Sequence, residues 1–209
     1  RVYLYRDTGV YSDPNLSDVE WCVYSPFDTS GYDSLRPSGN RPISIALYHG
    51  AVWGSHTDGD FMLDGETKMD RFREFTFTML GDIHKRQQMD KEGRIHYCGS
   101  TIQQNYGESG EKGFLLWDIN GPDDWSVDFY PIRHDNPFVT VDWQGNIIQT
   151  INACIATWPA GARYRIRAHE QLDPKTQRKV STVLRREYNA FEVVFKLVPK
   201  YQGDQLVEQ

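Results

Sequence analysis

Cysteine is scarce in this chain, and three copies in 209 residues argue against a disulfide framework. Cys22, Cys98 and Cys154 are odd in number and far apart, so we expect buried, reduced thiols rather than a zinc site. No stretch approaches the ~18–20 consecutive apolar residues that span a bilayer, and no signal peptide is visible. These absences predict a cytoplasmic protein without a membrane partner, with room for one large domain or two small ones.

Basic residues are fewer than acidic ones, since 23 Lys and Arg oppose 29 Asp and Glu. They are also unevenly placed. Residues 160–200 contain ten basic and four acidic residues, a net charge of +6, whereas residues 1–159 carry a net charge of −10. An acidic block that gathers possible metal ligands and a basic block behind it fit a metal-dependent enzyme acting on a polyanion. Solvated faces of a small α/β unit would carry the same charges, and that alternative stays open.

Apolar and β-branched runs predict a strand-rich first domain, residues 1–135. A surface loop is expected over residues 28–42, a short helix near Met69–Phe72, and a hairpin turn over residues 120–124. The candidate strands are Val2–Tyr5, Val19–Ser25, Ile43–Tyr48, Phe75–Leu80, Ile95–Cys98, Phe114–Ile119 and Ser126–Ile132.

A second domain is predicted over residues 136–200, followed by a tail at 201–209. Gln144-Gly145-Asn146 between two apolar runs predicts a β-hairpin of Val139–Trp143 with Ile147–Thr150. A β-α-β unit follows, in which Ala162–Ala168 alternates and Asp173-Pro174 begins a helix. Phe191–Val198 is the returning strand.

Polar side chains follow two of the apolar strands in the first domain. Gly81-Asp82-Ile83-His84 comes after the strand Phe75–Leu80, and His49 ends the strand Ile43–Tyr48. A carboxylate and an imidazole two residues apart are donors that a divalent metal accepts. Downstream lie Gly99-Ser100, within a loop rich in amides, and Lys112-Gly113 at the start of another apolar strand.

This ordered series resembles the last metal motif of the calcineurin-like metallophosphoesterases, and in particular the SbcD-type and phage recombination exonucleases. Those proteins carry Gly-His-x-His, then a strand, Gly-Ser and a Lys-Gly-hydrophobic strand. The resemblance implies an α/β (α+β) chain containing the C-terminal half of a metallophosphoesterase β-sandwich flanked by helices. The β-α-β unit resembles the small capping domain that contacts DNA in these nucleases.

The resemblance implies metal ligands at His49, Asp82 and His84, with two Mn²⁺ or Mg²⁺ ions in the complete protein. Asp82 departs from the pattern, because the family has histidine there; it should favour a harder ion, or it only caps a turn. The family's earlier motifs, Asp-x-His, Gly-Asp-x-x-Asp and Gly-Asn-His-Asp/Glu, do not occur in the chain. We therefore expect the C-terminal part of a longer protein or a truncated reading frame. It would contain no complete catalytic set and would be inactive alone.

The implied function is hydrolysis of DNA phosphodiester bonds by a repair or recombination exonuclease subunit. Its partners would be DNA, an SbcC-type ATPase subunit and, for the full-length protein, a second copy. Two alternatives stay open, a non-catalytic DNA-binding or interaction module and a phosphoesterase acting on other phosphoesters. The candidate phosphate-contacting residues are Ser100, Gln103, Gln104, Arg163, Arg165 and Arg167.

Overall fold

The computed structural model describes residues 4–65 and 67–199, and the backbone of residues 201–202 and 205–206. The chain divides into two compact units, one of residues 1–102 and 107–132, the other of residues 103–106 and 133–209. The strands of the first unit are β1 (Gly9–Ser12), β2 (Val19–Tyr24), β3 (Ile43–His49), β4 (Phe77–Gly81), β5 (Gln87–Gln88), β6 (Ile95–Tyr97), β7 (Gly113–Ile119) and β8 (Trp125–Pro131).

A six-stranded sheet forms the centre of the first unit, in the order β1-β2-β3-β4-β6-β5. Strands β2, β3, β4 and β6 run parallel, and the edge strands β1 and β5 are antiparallel to their neighbours. Four consecutive residues of β3, Ile43–Ala46, are buried, as is typical of a strand covered on both faces. The parallel strands therefore end together along one edge of the sheet.

The hairpin β7–β8 forms a second layer against this sheet. Its two strands are antiparallel and pair with each other over their full length. Trp117, Ile119 and Trp125 pack on a buried cluster that includes Ile45 and Phe77 of the sheet. The predicted turn and both hairpin strands are thus confirmed.

The other connections of the first unit are loops and one short 3-10 helix, Met69–Phe72, which was predicted. The expectation of flanking helices is wrong for the described residues of this unit, because loop side chains cover the second face of the sheet instead. Leu35, Val52 and Phe72 are buried there against Tyr24 and Tyr97 of the strands. Five of the predicted strands before residue 120 are confirmed within two residues, while β1 and β5 were not predicted. The predicted strand Val2–Tyr5 lies partly outside the described residues, and its last two residues are irregular.

The second unit is built on a three-stranded parallel sheet in the order β11-β10-β9. Its elements are β9 (Phe138–Asp142), α1 (Ile147–Thr157), β10 (Arg163–Ala168), α2 (Pro174–Glu187) and β11 (Glu192–Leu197), followed by the short pair β12 (Tyr201–Gln202) and β13 (Gln205–Leu206). The predicted β-α-β unit is confirmed. Asp173 caps α2 by accepting hydrogen bonds from the backbone nitrogens of Lys175 and Thr176.

The predicted β-hairpin after β9 is wrong, because its second strand is the start of the helix α1. Asn146 is the N-cap residue, and its side-chain oxygen accepts a hydrogen bond from the backbone nitrogen of Gln149. Thr150, Ile151 and Cys154 then face the core at helical spacing. The chain is therefore an α+β protein with more strands than helices. Neither of the two α-helices in the described residues has the length and apolar character needed to cross a bilayer.

The cysteines are free, and two of the three match expectation. Cys22 and Cys154 are fully buried, and burial raises the pKa of their thiols to about 12 and about 11 respectively. Cys98 is exposed, contrary to the prediction of a buried thiol, because it follows the last residue of β6.

Protonation of His96 is expected to destabilise the first unit. The ring packs edge-on against Trp117, 5.4 Å between centroids, and Nε2 faces the carbonyl oxygen of Gly93 at 2.9 Å. Burial lowers the pKa of His96, whereas the unfolded chain takes up the proton near its usual value of about 6.5. The stabilising contribution is therefore complete above about pH 6.5 and is lost as pH falls toward the folded pKa.

Urea unfolding between about pH 5 and pH 7 should thus show a stability that rises with pH, by up to ~1.4 kcal/mol per pH unit for one proton. His96→Gln should flatten that part of the profile. His169→Gln, at an exposed histidine, should leave it intact. Identical profiles for the wild type and His96→Gln would refute the assignment.

Candidate functional site

The carboxyl ends of β3 and β4 lie side by side and bring His49 next to the loop that follows Gly81. The two strands are parallel, and His49 pairs with Gly81 in their register. A Cβ atom at position 81 would come within 2.8 Å of Nδ1 of His49. Glycine at this position therefore leaves room for the imidazole to lie over the end of β4.

Asp82 faces His49 across this edge. Its φ of +86° is a left-handed conformation, which is uncommon for a residue other than glycine and turns the chain sharply after β4. The Oδ1 atom of Asp82 lies 3.7 Å from Nε2 of His49, and the two side chains are 49% and 65% exposed. The predicted pair thus meets at the surface, with a nitrogen and an oxygen donor side by side.

His84 lies two residues further on and is held by a different partner. Ile83 between them is buried in the core of the unit, which anchors the loop. Nδ1 of His84 lies 3.0 Å from Oε1 of Glu108. Its side chain is 37% exposed, so Nε2 is the ring nitrogen left for a proton or a metal.

A buried group of charged side chains contacts His84 from the interior of the unit, and it was not predicted as part of the site. The Lys112 side chain is 1% exposed, and its Nζ lies 3.0 Å from Oδ2 of Asp58 and 3.0 Å from Oε2 of Glu108. Nζ also donates a hydrogen bond of 3.1 Å to the carbonyl oxygen of His84. Both carboxylates are 7% exposed.

Asp58 illustrates the electrostatics of this group. Burial raises its pKa, but the hydrogen bonds from Lys112 and from the backbone nitrogen of Ser109 outweigh that effect and hold the pKa below its usual value. The carboxylate is therefore favoured in its ionised form. In the sequence, the only signal of this group was the lysine of the Lys112-Gly113 pair.

The residues present fit part of a metal site. His49 and Asp82 are adjacent exposed donors, and His84 presents a free ring nitrogen in the same loop. Across residues 4–65 and 67–199, however, no three His, Cys, Asp or Glu side chains are grouped so as to hold a metal ion. The assignment of His49, Asp82 and His84 as one set of ligands stays a prediction.

Two of the predicted phosphate-contacting side chains after β6 already form hydrogen bonds with backbone groups of the chain. The Ser100 hydroxyl donates to the carbonyl oxygen of Ile102. Gln103 belongs to the second unit, where its amide nitrogen donates to the carbonyl oxygen of Phe138 and its Oε1 accepts from the backbone nitrogen of the same residue. Gln104 is exposed.

The three arginines of β10 share one face, as predicted, and all three make contacts within the second unit. The Arg163 guanidinium lies between the rings of Phe138 and Phe191, at 4.9 and 4.3 Å from their centroids. Arg165 lies 4.9 Å from the centroid of the Tyr106 ring and donates to its carbonyl oxygen.

Arg167 completes this row through an ion pair with Asp142. Its Nε and one terminal nitrogen donate to the two carboxylate oxygens of Asp142, at 2.8 and 3.0 Å. Neighbouring residues thus largely cover this strand face, although Arg167 alone among the three arginines forms an ion pair with a described residue.

A free basic surface lies instead on the helix α2. Val180 and Leu184 are buried on one side of this helix. Five exposed cations fall on the opposite side at helical spacing, and none forms an ion pair with another described residue. We call them the α2 basic stripe: Lys175, Arg178, Lys179, Arg185 and Arg186.

No family model matches this chain. A protein of Acanthamoeba polyphaga mimivirus named "Uncharacterized protein R555" is 38% identical over 111 residues. That similarity covers 52% of this chain and 8% of the length of the viral protein. The chain is therefore similar to a small part of a much longer mimivirus polypeptide.

Proposed function

We propose that this chain contributes ligands to a two-metal site that hydrolyses DNA phosphodiester bonds, in an exonuclease of repair or recombination. The observation that carries the proposal is the contact between His49 and Asp82 at the ends of two parallel strands. Exposed donors at the carboxyl edge of parallel strands are where open sheets bind their ligands. In this proposal the remaining metal ligands come from the rest of a longer polypeptide. An SbcC-type ATPase and a second copy are partners of that full-length protein.

The bound ions would be Mn²⁺ or Mg²⁺, which activate a water molecule and neutralise charge on a phosphodiester. This chain's own part is to hold His49 and Asp82 side by side and to present Nε2 of His84 to the same loop edge. Gly81 supports this arrangement because its missing side chain leaves space for the His49 ring. The resemblance to metallophosphoesterases supports the same assignment through the order of motifs along the chain.

In the isolated chain, Mn²⁺ should bind at His49, Asp82 and His84 at lower concentrations than at other histidines. Added Mn²⁺ is expected to broaden the ring NMR signals of His49 and His84 at concentrations that leave those of His134 and His169 sharp. Asp82→Ala should weaken this effect on His49, because it removes the adjacent oxygen donor. Equal broadening of all histidines, or none, would contradict the proposed metal site.

The isolated chain should nevertheless show little or no nuclease activity with Mn²⁺. The family's bridging aspartate motif is absent from its sequence, and one weakly held ion cannot both activate water and stabilise the leaving oxygen. Degradation of labelled single- and double-stranded DNA by the purified chain measures this. Robust Mn²⁺-dependent degradation that His84→Ala abolishes would mean that the chain holds a complete site.

A second candidate function is a non-catalytic DNA-binding module. The α2 basic stripe favours it, since five cations on one helix face suit a phosphate backbone and need no metal. The same surface favours DNA over small phosphoesters for the catalytic proposal. Metal binding at His49 without nuclease activity in any longer polypeptide would favour the non-catalytic module.

DNA affinity is expected to depend on the α2 basic stripe rather than on the β10 arginines. The triple variant Lys175→Ala, Lys179→Ala, Arg186→Ala should bind DNA more weakly. The salt dependence should also weaken. The slope of log K, where K is the DNA-binding constant, against log salt concentration should fall in magnitude by about 2–3, because three phosphate contacts are lost and each releases about 0.7–0.9 counterions. Fluorescence anisotropy at several salt concentrations measures both quantities.

The matched control is Arg167→Ala, which removes a cation already paired with Asp142. Its DNA affinity and salt slope should equal those of the wild type. If the control weakens binding as much as the helix variant, the β10 face carries the contact. No salt dependence in any protein would remove both surfaces from the proposal.

A further inference from the structure

His84 is tied to one buried charged group through both its side chain and its main chain. Glu108 contacts Nδ1 of the ring, and Lys112 donates to the carbonyl oxygen of the same residue. Glu108 and Lys112 also contact each other at 3.0 Å. The ring orientation and the loop backbone at His84 are therefore set by the same pair of side chains.

Each oxygen of Glu108 faces a different partner. Oε1 faces Nδ1 of His84 and Oε2 faces Nζ of Lys112, each at 3.0 Å. With Oε2 on the ammonium of Lys112, Glu108 acts as an ionised carboxylate, which only accepts hydrogen bonds, so we assign the proton of this contact to Nδ1 of His84. The lone pair of the neutral ring then lies on Nε2.

We propose that Glu108, fixed by Lys112, is a positioning residue that holds His84 with Nδ1 inward and Nε2 outward, where Nε2 is available to a divalent cation. The proposal rests on the proposed function for the identity of that cation. The proposal extends the proposed function by assigning roles to Glu108 and Lys112, which are not themselves metal ligands. Metal-binding histidines in proteins are commonly oriented by a carboxylate on their other nitrogen.

The first test is the tautomer of His84 in the isolated chain without metal. Nitrogen-15 NMR of the neutral ring should show a protonated Nδ1 and an unprotonated Nε2. Glu108→Ala should shift the ring toward the Nε2-protonated form, which exposed histidines adopt. Glu108→Gln has one acceptor oxygen for these two donors; with that oxygen on the ammonium of Lys112, its amide nitrogen would donate to Nδ1, so this isosteric variant should also shift the ring toward the Nε2-protonated form. A wild-type ring protonated at Nε2 would overturn the proposal without recourse to any variant.

The second test is the affinity for Mn²⁺, which is measured through broadening of the His84 ring signals. Glu108→Ala should weaken binding about 10–100-fold, as expected when a residue that orients a metal ligand is lost. The matched control is Glu111→Ala, three residues away. That glutamate is 83% exposed and 3.9 Å from Arg86, so its loss should change neither the tautomer nor the affinity.

The outcomes separate this inference from the function on which it rests. If the tautomer behaves as expected but Mn²⁺ does not bind, the metal site fails and the positioning role stands. If Mn²⁺ binds at His84 and Glu108→Ala changes neither quantity, the positioning role is overturned and the metal site stands. Should Glu108→Ala fail to fold, the wild-type and Glu108→Gln tautomers decide the question.

Discussion

Lys112→Met is expected to destabilise the first unit by about 3–5 kcal/mol, the cost of removing one partner from a buried ion pair. The methionine side chain fills a similar volume, so the loss is electrostatic rather than a cavity effect. It would leave Asp58 and Glu108 buried without their shared cation, and the carbonyl oxygen of His84 without its donor. Urea unfolding followed by tryptophan fluorescence measures the change.

The control is Lys85→Met, in the same part of the chain. Lys85 pairs with Asp60, whose side chain is 79% exposed, and such surface pairs contribute about 0–1 kcal/mol. Adding Asp58→Asn and Glu108→Gln to Lys112→Met should recover part of the stability, because both buried negative charges are then gone. A loss below about 1 kcal/mol for Lys112→Met would show that water or another cation reaches the two carboxylates.

Gly113→Ala is expected to destabilise the first unit by about 3 kcal/mol, the upper end of the usual range for overpacking. A Cβ atom at this position would lie 2.1 Å from the carbonyl oxygen of Tyr130 and 2.8 Å from the Phe129 ring. The carbonyl belongs to the backbone of β8, so it cannot move without breaking the pairing of the hairpin. The unfolding free energy measures this cost.

Gly110→Ala provides the comparison within the same segment. A Cβ atom at Gly110 meets nothing within 4 Å. This substitution should be neutral, or stabilising by about 0.4–1 kcal/mol, because alanine restricts the unfolded chain. Similar effects at the two positions would mean that β8 does not approach Gly113 as closely as described.

Local patterns were sufficient to predict most strands and the second β-α-β unit. Ile43–Ala46 is a continuous buried run, and Asp173-Pro174 combines an N-cap with a residue suited to the first helical turn. The hairpin prediction after β9 failed because Gln144-Gly145-Asn146 suits a tight turn and a helix start equally well. Asn146 caps α1, and only the spacing of Ile151 and Cys154 distinguishes a helix start from a hairpin turn here.

The candidate site was predictable in part, for a physical reason. His49, Asp82 and His84 follow apolar strands, so their place at a sheet edge was readable from local sequence. Asp58 and Glu108 had no such signal. Asp58 lies 54 positions before Lys112, and the buried state of all three charges depends on tertiary packing that a single sequence does not display.

The β10 arginines show the opposite failure. Strict alternation placed Arg163, Arg165 and Arg167 on one face, which is confirmed. Their contacts were not predictable, because Tyr106 and Asp142 are 59 and 25 positions away from the arginines that they meet. Alternation fixes the face of a sheet on which a side chain lies, and says nothing about what already covers that face.

The pairing of Gln103 with Phe138 has a consequence for how the chain behaves at high concentration. β9 lies at the edge of the three-stranded sheet, and an open strand edge is a template for joining other chains. The side-chain amide of Gln103 engages both backbone groups of Phe138, as a neighbouring strand would. This side chain therefore occupies both backbone groups of Phe138, so a strand from another chain could not pair with β9 at that residue without displacing it.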